Sequence, residues 1–265
     1  LIAAINELAD GNFHVRIHLD LTQEFVKLSE SFNRMAQELE NTELLRSDFI
    51  NNFSHEFKTP IVSLRGFAKI LKSDTLTREE RDEYLDIIIS ESNRLAQLAT
   101  NVLNLSKVEN TSILTNVSAF ELSEEIRQAI LLLETKWQKK ELEWILELDE
   151  IVYSGNKDLL NQMWINLIDN AVKFSPQGGK VKIKLHADSP QVRFQIWDNG
   201  CGMDQEIIGH IFDRFYQGDL SHTAEGNGIG LTVVKRIAEL HGGSVSVYSE
   251  PGIGTNFKVI LPVQP

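Results

Sequence analysis

A chain of 265 residues, 42% hydrophobic and 24% charged, can build packed cores, and its length suits two ordinary domains or one large one. Its net charge of −12 lacks a basic footprint, so direct contact with nucleic acid is not expected. The single cysteine, Cys201, excludes an internal disulfide; no Cys/His metal spacing appears, and no run of about 18 apolar residues could cross a bilayer.

Residues 1–9 read as the end of a helix, broken by Asp10-Gly11-Asn12. The chain begins inside this helical pattern, which suggests a fragment with a membrane segment upstream. A connector covers 13–23, and a helix resumes near Glu24 with Phe25, Leu28, Phe32, Met35 and Leu39 expected to face inward. That helix continues through Leu44 and Phe49 into a second stripe, Ile50, Phe53, Phe57, Pro60, Leu64, Phe67 and Leu71. Steps of three and four keep this stripe on one face. Ser73-Asp74-Thr75 ends the helix, and Thr77 with Glu80 has the spacing of a capping box. The helix that follows carries Tyr84, Ile88, Glu91, Leu95, Leu98, Val102 and Leu105. Two such helices make a hairpin that buries little alone, so two hairpins pairing as a four-helix bundle predict a homodimer.

Beyond about residue 115 glycines become frequent and β-like runs alternate with helices, so Glu109 to Val117 reads as a linker. Strands are predicted over 142–148, 180–187, 191–198, 243–249 and 254–261, and helices over 122–140, 156–174 and 228–241. Pro190 falls in a hairpin turn. Val192, Phe194 and Ile196 alternate with Arg193 and Gln195, which predicts a sheet with one buried and one wet face. The divisions are 1–40, 41–110, a linker over 111–117, and 118–265.

His55 stands two residues from Phe53 and two from Phe57, about 200° around a helix from each. Its imidazole is therefore expected to point away from the apolar seam. Glu56 can hold the ring in one tautomer and take its proton. Thr59, four residues on, shares its face and can position a water, while Pro60 removes a backbone donor and is expected to loosen the helix below.

Four patterns follow in the second half. Asn166-Leu167-Ile168-Asp169-Asn170-Ala171-Val172-Lys173-Phe174 places two amides on one helical face, and amide oxygens are hard ligands suited to Mg²⁺. In Asp198-Asn199-Gly200-Cys201-Gly202 a strand ends in a glycine turn. Ile211-Phe212-Asp213-Arg214-Phe215-Tyr216-Gln217 precedes a small, polar stretch that reads as a lid. Gly226-Asn227-Gly228-Ile229-Gly230-Leu231 opens a helix whose amides and positive end suit a triphosphate. Singly, each has an ordinary counterpart: a surface histidine, an amphipathic helix, an Asx-Gly turn, packed phenylalanines or a glycine loop.

Phe53-Ser54-His55-Glu56-Phe57-Lys58-Thr59-Pro60 followed by Leu64-Arg65-Gly66-Phe67 closely resembles the phosphoacceptor box of sensor histidine kinases. The four later patterns stand in the order of that family's ATP-binding domain, a GHKL fold shared with gyrase and the large heat-shock chaperone. Glu24-Phe25-x-x-Leu28 with Phe32-Asn33-x-Met35-Ala36 resembles the second helix of a HAMP linker domain, which normally follows a transmembrane helix. The resemblance implies a fold of α plus α/β class: a HAMP-like helical segment, a dimeric four-helix-bundle hairpin and a GHKL (Bergerat) α/β sandwich. It implies ATP-dependent phosphorylation of His55, transfer to an aspartate of a response regulator receiver domain, and phosphatase activity toward that regulator as a second role. ATP and Mg²⁺ are the implied cofactors, and the chain is then the cytoplasmic portion of a bacterial membrane protein. By the same resemblance Asn170 is the metal ligand, Asn166 a phosphate-side contact and Lys173 a positive charge toward the phosphates. The resemblance likewise implies that Asp198 accepts from an adenine amino group and that Gly200 and Gly202 let the base approach the backbone. Phe212 and Phe215 anchor the lid, and Gly226, Gly228 and Gly230 line the phosphate loop. Gln217 departs from the pattern, since the family commonly carries a basic residue there. Two rival readings remain at this level: a GHKL ATPase that works a conformational clamp, and a dimeric scaffold or phosphatase-biased protein that no longer phosphorylates itself.

Overall fold

The computed structural model describes residues 1–19, 22–73, 75–111, 113–214, 216 and 228–263, the side chains of 45, 46, 48, 49 and 52 excepted. Two compact units, Leu1–Gly66 and Phe67–Pro265, are described in turn.

In the first unit α1 (Ile2–Ala9) ends at Asp10, and Gly11 turns the chain at φ 91°, where a residue with a Cβ is strained. The connector after it is sewn onto α2 (Gln23–Ile70). The Asn33 amide accepts from the Ile17 N–H at 2.8 Å and donates to the Ile17 carbonyl at 2.9 Å. Arg16 donates to the Phe13 carbonyl at 2.6 Å, to Gln37 at 2.7 Å and to Glu40 at 2.6 Å. Ala4, Leu8, Phe32 and Ala36 form the core, with Phe13, Val15 and Ile17 packed against it.

One expectation needs correcting here. Phe32 faces inward, but Phe25, Leu28, Met35 and Leu39 are exposed, Met35 to 49%. Ser29, Phe32 and Ala36 form the face that is covered, and Leu28, Met35 and Leu39 are turned to one side of it; Phe25 shares the covered azimuth but stands near the start of α2 and is exposed there. α2 also runs through Pro60 as one continuous helix.

The second unit begins with the last turn of α2 and continues with α3 (Arg78–Glu109), whose capping box forms as expected. Thr77 Oγ1 accepts from the Glu80 N–H at 3.2 Å, and Glu80 accepts from the Thr77 N–H at 2.8 Å. Phe67 and Tyr84 stack with ring centroids 5.4 Å apart. Leu98, Leu105 and Val108 are buried on α3, whose end packs on α8 (Gly230–Leu240).

Next come β1 (Val117–Glu121), α4 (Leu122–Leu132), α5 (Glu134–Lys139), β2 (Glu143–Leu148), β3 (Val152–Asn156) and α6 (Lys157–Phe174). β4 (Lys180–Asp188), β5 (Gln191–Asp198), α7 (Gln205–His210), β6 (Ser244–Glu250) and β7 (Gly254–Pro262) complete the fold around α8. The five-stranded sheet has the order β2-β4-β5-β7-β6, with β2 parallel to β4 and the other pairs antiparallel. β1 and β3 pair antiparallel in a separate ribbon. Pro190 sits in the β4–β5 turn, and Val192, Phe194 and Ile196 are buried as predicted. α6 lays Leu160, Met163, Trp164, Leu167 and Ile168 on the sheet, with the Trp164 ring 4.6 Å from that of Phe194. The helix expected over 122–140 is two helices that meet at Leu133. β1, β3 and α7 were not anticipated from the sequence.

Candidate functional site

His55 lies on α2 and is exposed, while the flanking Phe53 and Phe57 are half-buried with ring centroids 4.4 Å apart. Two residues in either direction move about 200° around the helix, so an imidazole outside and an aromatic pair inside follow from the spacing. Glu56 is half-buried and Pro60 buried. The Thr59 hydroxyl donates to the His55 carbonyl at 3.3 Å. With its hydrogen committed there, the Thr59 hydroxyl is left to accept from a water through its lone pairs.

In the second unit β5 delivers Asp198 to a sheet end, between Val181 on β4 and Thr255 on β7. Asp198 is buried, and its Oδ1 accepts from the Gly200 N–H at 2.9 Å. Burial pushes its carboxyl up to about 6, and the N–H groups of Gly200 and Thr255 oppose the rise. A polar cluster stands behind it. Ser249 Oγ accepts from the Met203 N–H at 2.8 Å and lies 2.9 Å from the Thr255 hydroxyl.

The glycines of this turn are required by the protein's own backbone. A Cβ on Gly200 would stand 2.5 Å from the Phe174 carbonyl oxygen, and one on Gly202, at φ 66°, 1.9 Å from that of Glu250. The expected role, admitting a base to the backbone, therefore has a structural requirement beside it.

α6 carries Asn166, Asn170 and Lys173 on its half-buried face. Its N-cap Asn156 accepts from the Leu159 N–H at 3.0 Å. Asn166 Nδ2 donates to the Gly230 carbonyl at 3.3 Å, so the asparagine pattern and the start of α8 meet. Lys173 Nζ lies 4.6 Å from the Phe174 ring centroid. Gly228 adopts φ 64°, and α8 begins at Gly230 with no side-chain cap on its amides. Phe212 is half-buried, and its carbonyl accepts from Thr232 on α8 at 3.0 Å. Phe215, Gln217 and Gly226 lie outside the described residues.

Three supporting groups escaped sequence reasoning. Lys140 Nζ donates to the carbonyls of Val172, Lys173 and Ser175 at 3.0, 2.6 and 2.8 Å. His241 is buried; its Nε2 accepts from the Asn156 N–H at 3.2 Å and its Nδ1 donates to the Ile237 carbonyl at 2.8 Å. That pairing requires a neutral ring, and burial accordingly lowers its pKa from the ordinary 6.5. Arg214 pairs with Glu109, the last residue of α3, at 2.6 Å. Among the described residues no cluster of three or more His, Cys, Asp or Glu could hold a metal ion, so a metal here would rest on amide oxygens and on its substrate. Asn170, half-buried and on the same face as Asn166, fits that requirement.

Family models match in the order of the sequence patterns: HAMP domain over 1–41, His Kinase A (phospho-acceptor) domain over 45–111, and histidine kinase-, DNA gyrase B-, and HSP90-like ATPase over 155–265. A heme sensor protein, HssS, of Staphylococcus saprophyticus is 33% identical over 99% of this chain and 56% of its own length. The signal transduction histidine-protein kinase ArlS of Staphylococcus aureus is 30% identical over 96% of this chain and 57% of its own. The chain thus spans about half the length of these curated relatives. Among solved structures, the histidine kinase ThkA in complex with response regulator protein TrrA matches with TM-score 0.70 at 25% identity, over 93% of this chain and 69% of that one. Full-length ShkA in complex with AMPPNP matches with TM-score 0.60 at 28% identity, over 83% and 45%.

Proposed function

The chain belongs to the sensor histidine kinases, and from that premise we propose that it phosphorylates its own His55 from ATP and passes the phosphoryl group to an aspartate of a response regulator receiver domain. The observation that carries this reading is an exposed imidazole inside the matched phospho-acceptor region, set opposite a half-buried aromatic pair.

In the reaction an unprotonated ring nitrogen of His55 attacks the γ-phosphorus. An N–P bond forms, the bond to the β–γ bridging oxygen breaks, and ADP leaves with that electron pair. Glu56 takes the proton that the ring sheds and holds the tautomer beforehand. Asp198 accepts from the adenine amino group, most strongly when its carboxyl is ionised. Asn166 and Lys173 face the phosphates, and the amides of Gly228 and Gly230, where α8 begins without a side-chain cap, add N–H donors and the positive end of α8. Asn170 would hold Mg²⁺, which when bound neutralises charge that develops on the phosphates. Phe212, whose carbonyl accepts from Thr232 on α8, is the described part of the lid anchor.

The phosphohistidine is the donor to the regulator's aspartate, and Thr59 serves the reverse task of orienting water for dephosphorylation. A second copy completes the helical stalk, and a membrane sensor segment upstream supplies the signal to the HAMP region. No helix among the described residues is long and apolar enough to cross a membrane.

Incubation with γ-labelled ATP tests the assignment. His55→Gln should retain no label while binding nucleotide like the parent chain. Label retained by that variant would overturn the choice of His55, and steady release of free phosphate without any phosphoprotein would favour the clamp ATPase instead.

A further inference from the structure

We propose that Lys140 is a positioning residue for the nucleotide site, its ammonium fixing the end of α6 and, through it, the turn that carries Asp198. This rests on the nucleotide-binding reading given above.

A helix leaves its last carbonyls without intrahelical partners and gathers negative charge there. In α6 that end is claimed by one side chain from another segment. Lys140 follows α5, lies more than 30 residues from its acceptors, and bonds three carbonyls of the α6 terminus at 2.6–3.0 Å. Its own carbonyl accepts from the Gly178 N–H at 2.8 Å, so the loop beyond α6 is tied to the same residue.

Phe174 sits between the bonded carbonyls. Its own carbonyl oxygen closes on Gly200, where a Cβ would stand only 2.5 Å away. Gly200 in turn donates to Asp198 Oδ1 at 2.9 Å. At the end of that loop the Lys180 N–H donates to Asn199 Oδ1 at 2.8 Å, which holds the turn from its other side. A shift in the last turn of α6 therefore moves Phe174, Gly200 and the carboxylate together. The same turn carries Lys173, and Asn170 lies just before it. With the ammonium gone, three carbonyl oxygens would also present uncompensated negative charge near a site built for phosphates. Partial burial lowers the Lys140 pKa from its ordinary 10.5.

The test uses the full chain and Mg·ADP, with affinity by calorimetry, stability by thermal melting and the Gly200 amide followed by NMR. Lys140→Met keeps the stem and removes charge and donors. It should weaken ADP binding by the folded protein about tenfold, the scale of hydrogen bonds to a charged group, and shift the Gly200 amide signal. Lys140→Arg should restore both to near the parent. Ile126→Val, a core change on α4, should lower the melting temperature without altering affinity. If the methionine variant does not fold, Lys140→Gln, which keeps N–H donors without charge, carries the test with the same expected weakening. Folded variants that bind ADP like the parent, with an unmoved Gly200 signal, would overturn the positioning role while leaving the nucleotide site intact. A parent chain that binds no Mg·ADP would overturn the site reading and the Lys140 role together.

Discussion

The two halves of this molecule satisfy their apolar residues in different ways. The sheet domain closes its core within one chain: Trp164, Phe194, Met163, Leu167 and Ile183 are all essentially inaccessible to water. The first unit does so for one face only, leaving Phe25, Leu28, Met35 and Leu39 exposed while Phe32 and Ala36 are covered. Burial is worth roughly 25 cal/mol per Å² of apolar surface, so an exposed stripe of that kind is a standing gain for whatever covers it. A nucleotide site needs a rigid frame that holds without a partner. A helical segment meant to change its packing is better served by contacts between copies, which can be rearranged.

Breaking the frame of the sheet domain should give the largest effect. Gly202→Ala places a Cβ 1.9 Å from the Glu250 carbonyl oxygen in a residue at φ 66°. The expected loss is on the order of 3 kcal/mol, seen as a lower melting temperature of the sheet domain and lost nucleotide binding. The α-helical signal of α2 should survive in the same sample.

The first unit can be probed on its two faces. Phe32→Ala removes a buried ring, 5% exposed, and should cost about 3 kcal/mol in whatever oligomeric state the chain adopts. Met35→Glu, on the exposed face, should leave the fold of one chain intact and shift sedimentation from dimer toward monomer. A monomeric parent, or a Met35→Glu chain that stays dimeric, would break the contrast between covered and uncovered faces.

A smaller effect separates the two halves by pH. Burial raises the Asp198 carboxyl to about 6 from its ordinary 3.8, so the folded domain prefers the proton there. The contribution of this group to stability is therefore fully present below pH 3.8 and lost as pH rises through about 6. Under the proposed role nucleotide binding runs the other way, because the ionised carboxylate is the stronger acceptor for the adenine amino group. Affinity should fall as pH drops through about 6, a limb that Asp198→Asn should abolish. An affinity flat from pH 7 to 5 would refute the role of Asp198.

Local patterns were legible where one segment carries the whole signal. Thr77 and Glu80 cap α3 as their spacing requires, and the alternation of Val192, Phe194 and Ile196 matches their burial. Asn166 and Asn170 fall on one face of α6 because four residues make just over one turn. The site's supports were not legible, since their partners are distant in sequence. Lys140 finds acceptors 32 to 35 residues on, and His241 finds the Asn156 N–H 85 residues back. β1 is mostly exposed and joins β3 only in a two-stranded ribbon, so no alternating stripe announced it. The stripe on α2 was visible as a period, but a period does not say whether the same chain or another one covers it.

The most direct test is to locate the phosphoryl group itself. After incubation with γ-labelled ATP and Mg²⁺, mass spectrometry should find phosphate on His55, and the labelled band should survive alkali and be lost in acid, as an N–P bond requires. An acid-stable phosphoester, or phosphate on any residue other than His55, would contradict the account.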